Sequence, residues 1–219
     1  MEECRSRIKY LLECFLEAIY PTEAKCYVCN EEGNKIICDK CMKEIPKVND
    51  LVRLEEFELM VCSYYSFIIK DLVLRLKYKG DFHAGEILVL LLEERFRRQG
   101  IEVDYITYVP VAKDALKKKE FNQCEFLAKE LGKRLNIEVI QVLKKKNKVK
   151  EQKSLTRDER EKNVSKAFKL INNKSLEGKR VLLLDDVMTT GSTLKVCAKE
   201  LKKVKNIKIF LLTIAKSNI

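Results

Sequence analysis

One segment, residues 181–193, constrains the fold of this chain more than any other. Val181–Leu184 is an uninterrupted apolar run, as expected of a strand that is buried on both faces in the middle of a parallel sheet. Asp185 and Asp186 follow at the carboxyl end of that strand, where open α/β sheets place their ligands. The segment therefore predicts an α/β fold with a ligand site at this strand end.

The turn after the two acids is rich in hydroxyl groups. It consists of Thr189, Thr190, Gly191, Ser192 and Thr193. Backbone N–H groups and hydroxyls of such a turn, at the amino end of the following helix, can surround one phosphate. Asp185 and Asp186 are one short loop away, at a distance that would allow them to bind the vicinal hydroxyls of a ribose and Mg²⁺. The alternative, a buried strand and an ordinary capped helix, leaves the paired acids unexplained.

Four cysteines near the amino end have the spacing of a metal site. They are Cys26, Cys29, Cys38 and Cys41. The two C-x-x-C pairs are separated by eight residues that include the turn-forming Gly33 and Asn34. Four thiolates form a tetrahedral structural zinc site. The alternatives are unrelated core cysteines and redox-active thiols; the latter are disfavoured because neither pair follows a predicted strand or opens a helix.

The size of the chain, 219 residues, suits one α/β domain with a small appendage. We expect an N-terminal helix and zinc module in residues 1–48 and the α/β domain in residues 49–219. The sequence has no apolar run of transmembrane length and no recognisable signal peptide. We therefore expect a cytoplasmic protein whose nine cysteines are reduced.

The formal net charge of +11 is unevenly distributed. Residues 113–153 contain thirteen Lys or Arg and six Asp or Glu, a net charge of +7. Two lysine triplets, Lys117–Lys119 and Lys144–Lys146, contribute to it. Such a segment attracts polyanions such as single-stranded DNA. A solvated lysine-rich surface, common in heat-adapted proteins, is the alternative.

Periodic apolar positions predict the remaining elements. Strands are expected at residues 57–65, 105–111, 137–143, 181–184 and 207–215. Helices are expected at residues 8–20, 67–79, 83–99, 122–135 and 192–203. The polar stretch 144–163 is too long for an ordinary connection and suits a mobile lid. The alternation of strands and helices predicts a mostly parallel sheet.

These motifs resemble those of a known family. The run from Val181 to Thr193 resembles the phosphoribosyl-pyrophosphate (PRPP) signature of type I phosphoribosyltransferases. The chain as a whole resembles the ComF family, also called competence protein F or amidophosphoribosyltransferase-like, in its zinc-module form. Further motifs occur in the family's order at Leu76–Asp81, Val109–Val111, Phe121–Gln123, Gln152, Arg157 and Arg160–Phe168. One departure is Lys119-Glu120, where the family usually has Arg-Gly.

The resemblance implies a type I phosphoribosyltransferase fold and a part in natural transformation, in which such proteins handle incoming single-stranded DNA beside a partner helicase. If the protein is an enzyme, Asp185 and Asp186 are the candidate catalytic residues and hold Mg²⁺-PRPP. Lys113, with Lys77 or Lys79, would then face the pyrophosphate. We favour a binding role in the cytoplasm or at the inner face of the membrane, with a PRPP-type pocket. A metabolic phosphoribosyltransferase acting on a nucleobase or amine is the alternative.

Overall fold

The computed structural model describes residues 25–33, 35–111, 121–146, 167–171 and 176–217. The chain forms two compact units; the first ends at Glu44 and the second begins at Ile45. Several predicted features lie outside the described residues: the N-terminal helix, Lys113, the first lysine triplet and the lid beyond Lys146. Among the helices that are described, each is too short or too polar to cross a bilayer.

The first unit contains a tight turn and a short helix. An antiparallel bridge between Lys25 and Glu32 closes the turn, and Asn30 within it has a positive φ of 60°. Asparagine tolerates this left-handed conformation better than most residues do. Helix α1 spans Asp39–Glu44, and Cys41 is its buried residue.

The second unit is built on a six-stranded sheet. Its strands are β1 (Val52–Leu54), β2 (Phe57–Tyr64), β3 (Tyr105–Tyr108), β4 (Glu138–Val139), β7 (Arg180–Met188) and β8 (Lys208–Lys216). The spatial order is β1-β2-β8-β7-β3-β4, and every neighbouring pair is parallel except β1 and β2. Two further strands, β5 (Leu143–Lys145) and β6 (Phe168–Leu170), form a separate antiparallel ribbon. The predicted mostly parallel α/β architecture of a type I phosphoribosyltransferase is therefore confirmed.

Helices connect the parallel strands. They are α2 (Phe67–Leu74), which continues into a π-helical turn (Arg75–Lys79), α3 (Phe82–Gln99), α4 (Gln123–Leu135) and α5 (Ser192–Leu201). The carboxylate of Asp81 caps α3 by accepting a hydrogen bond of 3.2 Å from the backbone N–H of Ala84. Asn122 caps α4 in the same way through the N–H of Cys124, at 3.0 Å.

The core confirms the assignment of Val181–Leu184 as a strand buried on both faces. All four side chains are fully buried. Val181 and Leu183 pack in one cluster with the apolar face of α5. Because side chains alternate along a strand, Leu182 and Leu184 point to the opposite face of the sheet. A central strand with helices on both sides explains why no polar residue interrupts this run.

The strand order reverses between β3 and β7. From β3 the chain passes through α4 to β4 on one side, and from β7 it passes through α5 to β8 on the other. The two connections diverge, so a crevice opens between the carboxyl ends of β3 and β7. Open α/β sheets bind ligands at such a switch point.

Two local expectations differ from the structure. The stretch expected as one strand over residues 137–143 is divided, because Glu138–Val139 joins the main sheet and Leu143–Lys145 leaves it to pair with β6. The second difference is that two strands of three residues each, β1 and β6, were not expected. Three residues provide too little alternation for a recognisable strand pattern, and β1 is defined by its pairing with β2.

Candidate functional site

A cleft of about 250 Å³ opens at the switch point between β3 and β7. Its walls include Val109, Gln123, Lys145, Asp185, Asp186 and Thr193. The cleft thus brings the acidic pair together with one end of the hydroxyl-rich turn. It also contains Gln123 and Lys145, which the sequence had not assigned to this site.

Asp186 is held by side chains from two other elements. It is 9% exposed, and its Oδ2 accepts a hydrogen bond of 2.9 Å from Gln123 Nε2. Lys77 Nζ, from the π-helical turn, lies 3.7 Å from the same oxygen. Burial lowers the pKa of Lys77, but the neighbouring acidic groups, of which Asp186 has the largest effect, together more than offset this and the pKa is raised overall. Lys77 therefore stays protonated and balances the charge of the acid.

Asp185 is in a less polar environment. It is 8% exposed, and its Oδ1 accepts hydrogen bonds from the Cys124 thiol at 3.4 Å and from the backbone N–H of Asp186 at 2.9 Å. Burial, together with the charge of Asp186, raises the pKa of Asp185 to about 8. Burial and the two carboxylates also raise the pKa of the Cys124 thiol well above its usual value. Cys124 is accordingly a proton donor to the acid rather than a nucleophile.

The acidic pair and Cys124 form a compact group of ligand atoms. One oxygen of each carboxylate and the Cys124 sulfur all lie within 4.8 Å of one another. A divalent cation between the carboxylates would neutralise the like charges that raise the pKa of Asp185. Because hard cations prefer oxygen ligands, the two acids are the better candidates for binding it.

The segment Phe121–Gln123 positions α4 over the acids. Asn122 Nδ2 donates a hydrogen bond of 3.3 Å to the carbonyl oxygen of Val109, whose N–H donates to the carbonyl of Leu184 at 2.9 Å. Asn122 therefore ties the first turn of α4 to both β3 and β7. As a result, Gln123 and Cys124, the next two residues, lie against the acidic pair. This segment was noted in the sequence only as a family motif.

The hydroxyl-rich turn leads into the amino end of α5. Gly191 has a φ of 73°, which favours glycine, and its carbonyl accepts the N–H of Lys195 at 2.9 Å. The hydroxyls of Thr190 and Ser192 lie 2.8 Å apart. Thr193 lines the cleft, whereas Thr189 and Thr190 are exposed. The predicted phosphate turn is therefore at the mouth of the cleft, at the amino end of a helix.

The β1–β2 hairpin supports this turn, and the sequence had not assigned it that role. At its bend Glu55 has a φ of 56°, and its carboxylate forms ion pairs with Lys199 at 2.6 Å and with Lys195 at 3.6 Å. Both lysines are on α5. Glu56 adds a third pair, to Lys202, at 2.9 Å. These contacts join the hairpin to the helix that begins at the hydroxyl-rich turn.

Three lysines were candidates for a pyrophosphate group. Lys77 contacts Asp186, Lys79 is exposed, and Lys113 lies outside the described residues. The structure adds Lys145, which β5 carries into the cleft wall and whose Nζ lies 5.5 Å from the centre of the Phe168 ring. Lys144 and Lys146 are exposed, so the second lysine triplet is divided between the cleft and the surface.

The four predicted zinc ligands converge in the first unit. The sulfur atoms of Cys26, Cys29, Cys38 and Cys41 lie within 4.8 Å of one another. The N–H of Cys38 donates to the sulfur of Cys26 at 3.3 Å, and the N–H of Cys41 donates to that of Cys38 at 3.4 Å. Burial opposes ionisation of Cys26, but backbone N–H groups lower its pKa to about 6. The donor set and the N–H bonds to sulfur fit a tetrahedral Zn²⁺ ion.

Comparison with known proteins agrees with the motifs. The family described as "Phosphoribosyl transferase domain" matches residues 122–218. Competence protein F of Haemophilus influenzae is 26% identical over 174 residues, which are 76% of this chain and 72% of that protein. Competence protein ComFC of Bacillus subtilis is 23% identical over 196 residues, which are 82% of this chain and 78% of that protein.

Among solved structures, a purine phosphoribosyltransferase from Pyrococcus horikoshii is 19% identical with a TM-score of 0.40; the match covers 60% of this chain and 82% of that one. The chain is therefore similar to competence proteins over most of its length, and it combines a phosphoribosyltransferase domain with a cysteine cluster that fits a zinc module.

Proposed function

We propose that this protein handles incoming single-stranded DNA during natural transformation and that its cleft binds PRPP or a related phosphoribosyl ligand with Mg²⁺. The observation that carries the ligand assignment is that a buried pair of acids and a glycine-containing turn meet in one cleft at the switch point. The names of the curated relatives, competence protein F and ComFC, support the role in transformation.

In the proposed complex, the 5-phosphate lies at the amino end of α5, where Thr193 lines the cleft. Helix amino ends favour such anions. Asp185 and Asp186 hold the ribose hydroxyls and the Mg²⁺ ion, which displaces the proton that Asp185 retains without metal. Lys145 faces the pyrophosphate, and Lys113 is proposed to act with it.

The proposed DNA contacts involve the basic segments. Exposed Lys144 and Lys146 lie on either side of Lys145, so a strand bound there would pass close to the cleft. Lysines that neutralise phosphates release counterions, which gives sequence-tolerant binding that weakens with salt. The proposed location is the cytoplasm, at the inner face of the membrane, where a DNA-uptake helicase would deliver the strand. The cysteine cluster is proposed to hold one structural Zn²⁺.

Calorimetric titration of the protein with Mg²⁺-PRPP, and separately with a single-stranded oligonucleotide, tests this function. We expect both to bind, with no release of pyrophosphate when nucleobases are added. If PRPP binds, the oligonucleotide does not, and a base or amine releases pyrophosphate, the protein is instead a metabolic phosphoribosyltransferase. If PRPP does not bind even with Mg²⁺ present, the ligand assignment is wrong.

A further inference from the structure

Two exposed aromatic side chains, Tyr78 and Phe82, lie in the segment that leads from the π-helical turn into α3. We call Tyr78, Lys79 and Phe82 the aromatic rim. Tyr78 is 66% exposed and Phe82 is 52% exposed. The Phe82 ring packs edge-on against Phe121, with centroids 5.8 Å apart, and at a tilt of 42° against Phe126, with centroids 5.0 Å apart. Phe82 is thus held in place by two other rings while half of its surface faces solvent.

The rim adjoins the phosphoribosyl cleft through two residues. Lys77 and Gln123 both contact Oδ2 of Asp186. Lys77 directly precedes Tyr78, and its Nζ lies 6.0 Å from the centre of that ring. The turn also approaches α4 on this side, since a Cβ on Gly80 would lie 3.9 Å from the Phe121 ring. The aromatic rim therefore lies next to the acidic end of the cleft.

The conformation of the rim is unusual for a stretch that merely connects two helices. Arg75–Lys79 is π-helical and ends at Gly80, which has a φ of 63°. Single π-helical turns inside helices occur frequently at functional sites. Exposed apolar surface surrounded by polar residues marks interaction sites. Within the rim, the exposed side chain of Lys79 carries a positive charge that favours an anionic partner.

We propose that the aromatic rim stacks the bases of a single strand of nucleic acid, with Lys79 against its phosphate backbone. Nucleobases stack on exposed aromatic rings regardless of sequence, and lysines attract the phosphates between them. Only a strand offers flat bases and regularly spaced negative charge together, which matches a rim of two rings and a lysine on a chain of net charge +11. This inference rests on the proposed function and names the surface through which the strand is held beside the cleft.

The test compares two oligomers of equal length by fluorescence anisotropy: oligothymidine, and an abasic strand that keeps the sugar-phosphate backbone. The full-length protein should bind oligothymidine more tightly, by about 5- to 100-fold for each base that stacks. In the Tyr78→Leu/Phe82→Leu variant this preference should disappear, while binding of the abasic strand is unchanged. Phe67→Leu, which alters an aromatic residue that is 88% exposed and outside the rim, should keep the preference.

Each result has one interpretation. If the native protein binds both oligomers equally, or if the Tyr78→Leu/Phe82→Leu variant keeps the preference, the rim does not stack bases and its partner is a protein surface. In that case the proposed DNA binding depends on the lysines alone. If neither oligomer binds, the proposed DNA role fails as well. Titration with Mg²⁺-PRPP checks folding, since the double variant should bind it as the native protein does.

Discussion

Leu54 packs over Gly191 so closely that a Cβ on Gly191 would lie 2.6 Å from Leu54 Cδ1. Leu54 belongs to the β1–β2 hairpin, and Gly191 belongs to the hydroxyl-rich turn. Gly191 also has a φ of 73°, a conformation that costs other L-residues roughly 1–2 kcal/mol. Glycine is therefore favoured at this position by its backbone conformation, and a larger residue would also have to displace the Leu54 side chain.

Replacing Gly191 by alanine should both destabilise the domain and displace the hydroxyl-rich turn. We expect the free energy of unfolding in urea to fall by about 2–3 kcal/mol, since the conformational cost and the clash with Leu54 add. Affinity for Mg²⁺-PRPP should fall at least tenfold in calorimetry. Gly178→Ala is the matched control: Gly178 has a φ of 71° and nothing within 4 Å of a Cβ. It should show only the conformational cost and bind PRPP normally; an equal reduction of PRPP affinity in both variants would contradict the prediction.

Replacing Asp185 and Asp186 together by asparagine tests the ribose and metal site. Asparagine keeps the size of each side chain but removes the charge that attracts Mg²⁺. We expect PRPP affinity to fall by a few kcal/mol, as for other charge-assisted contacts, with little loss of stability. The control is Asp104→Asn, which removes an acid that pairs with Arg180 outside the cleft. Unchanged PRPP affinity in the double variant would show that these acids do not bind the ligand.

The pKa of Asp185 predicts how stability depends on pH without metal. Its value of about 8 lies above the usual value of an unfolded chain, so the folded protein holds an extra proton between about pH 4 and pH 8. Stability falls with rising pH wherever the folded state binds more protons. The contribution of Asp185 to the free energy of unfolding is therefore fully present below about pH 4 and is lost as the pH rises through about 8.

Asp185→Asn removes this titration and should gain stability relative to the native protein as pH rises. Urea unfolding at pH 5.5 and pH 8, in the presence of chelator, measures the difference. An advantage of the variant that is the same at both values would show that Asp185 ionises normally in the fold.

The cysteine cluster should bind one zinc ion per chain. Elemental analysis of protein refolded with zinc should find one equivalent, and none in a variant with Ser at Cys26, Cys29, Cys38 and Cys41. The matched control is Asp185→Asn/Asp186→Asn, which disrupts the second group of candidate metal ligands among the described residues and should keep its zinc. Stoichiometric zinc in the quadruple serine variant would contradict the assignment.

The division of the second lysine triplet changes how DNA binding should be tested. Neutralising Lys144 and Lys146 together with Lys117–Lys119 leaves Lys145 in the cleft. The slope of log affinity against log salt for a single strand should decrease by about 0.7 for each phosphate that the variant no longer neutralises. Lys145→Ala alone should weaken PRPP binding and change that slope little. Equal slopes for the native and five-lysine proteins would show that these lysines are only a solvated surface.

Much of the candidate site could be predicted from the sequence because its parts are local. A strand buried on both faces must be continuously apolar, and the acids and the turn that follow it must then lie at the ligand edge of the sheet. The cysteine spacing predicts the convergence of the four thiols in the same way, since each C-x-x-C pair places two sulfur atoms close together. These features require only a few consecutive residues and their backbone geometry.

Tertiary structure alone decided which distant residues complete the site. Gln123 reaches Asp186 from 63 positions earlier in the chain because Asn122 ties α4 to β3. Leu54 covers Gly191 because β1 pairs at the edge of the sheet, and Lys145 enters the cleft because β5 pairs with β6. No local pattern encodes these contacts: each depends on how separate elements pack, and packing is determined by the burial of the whole core rather than by neighbouring residues.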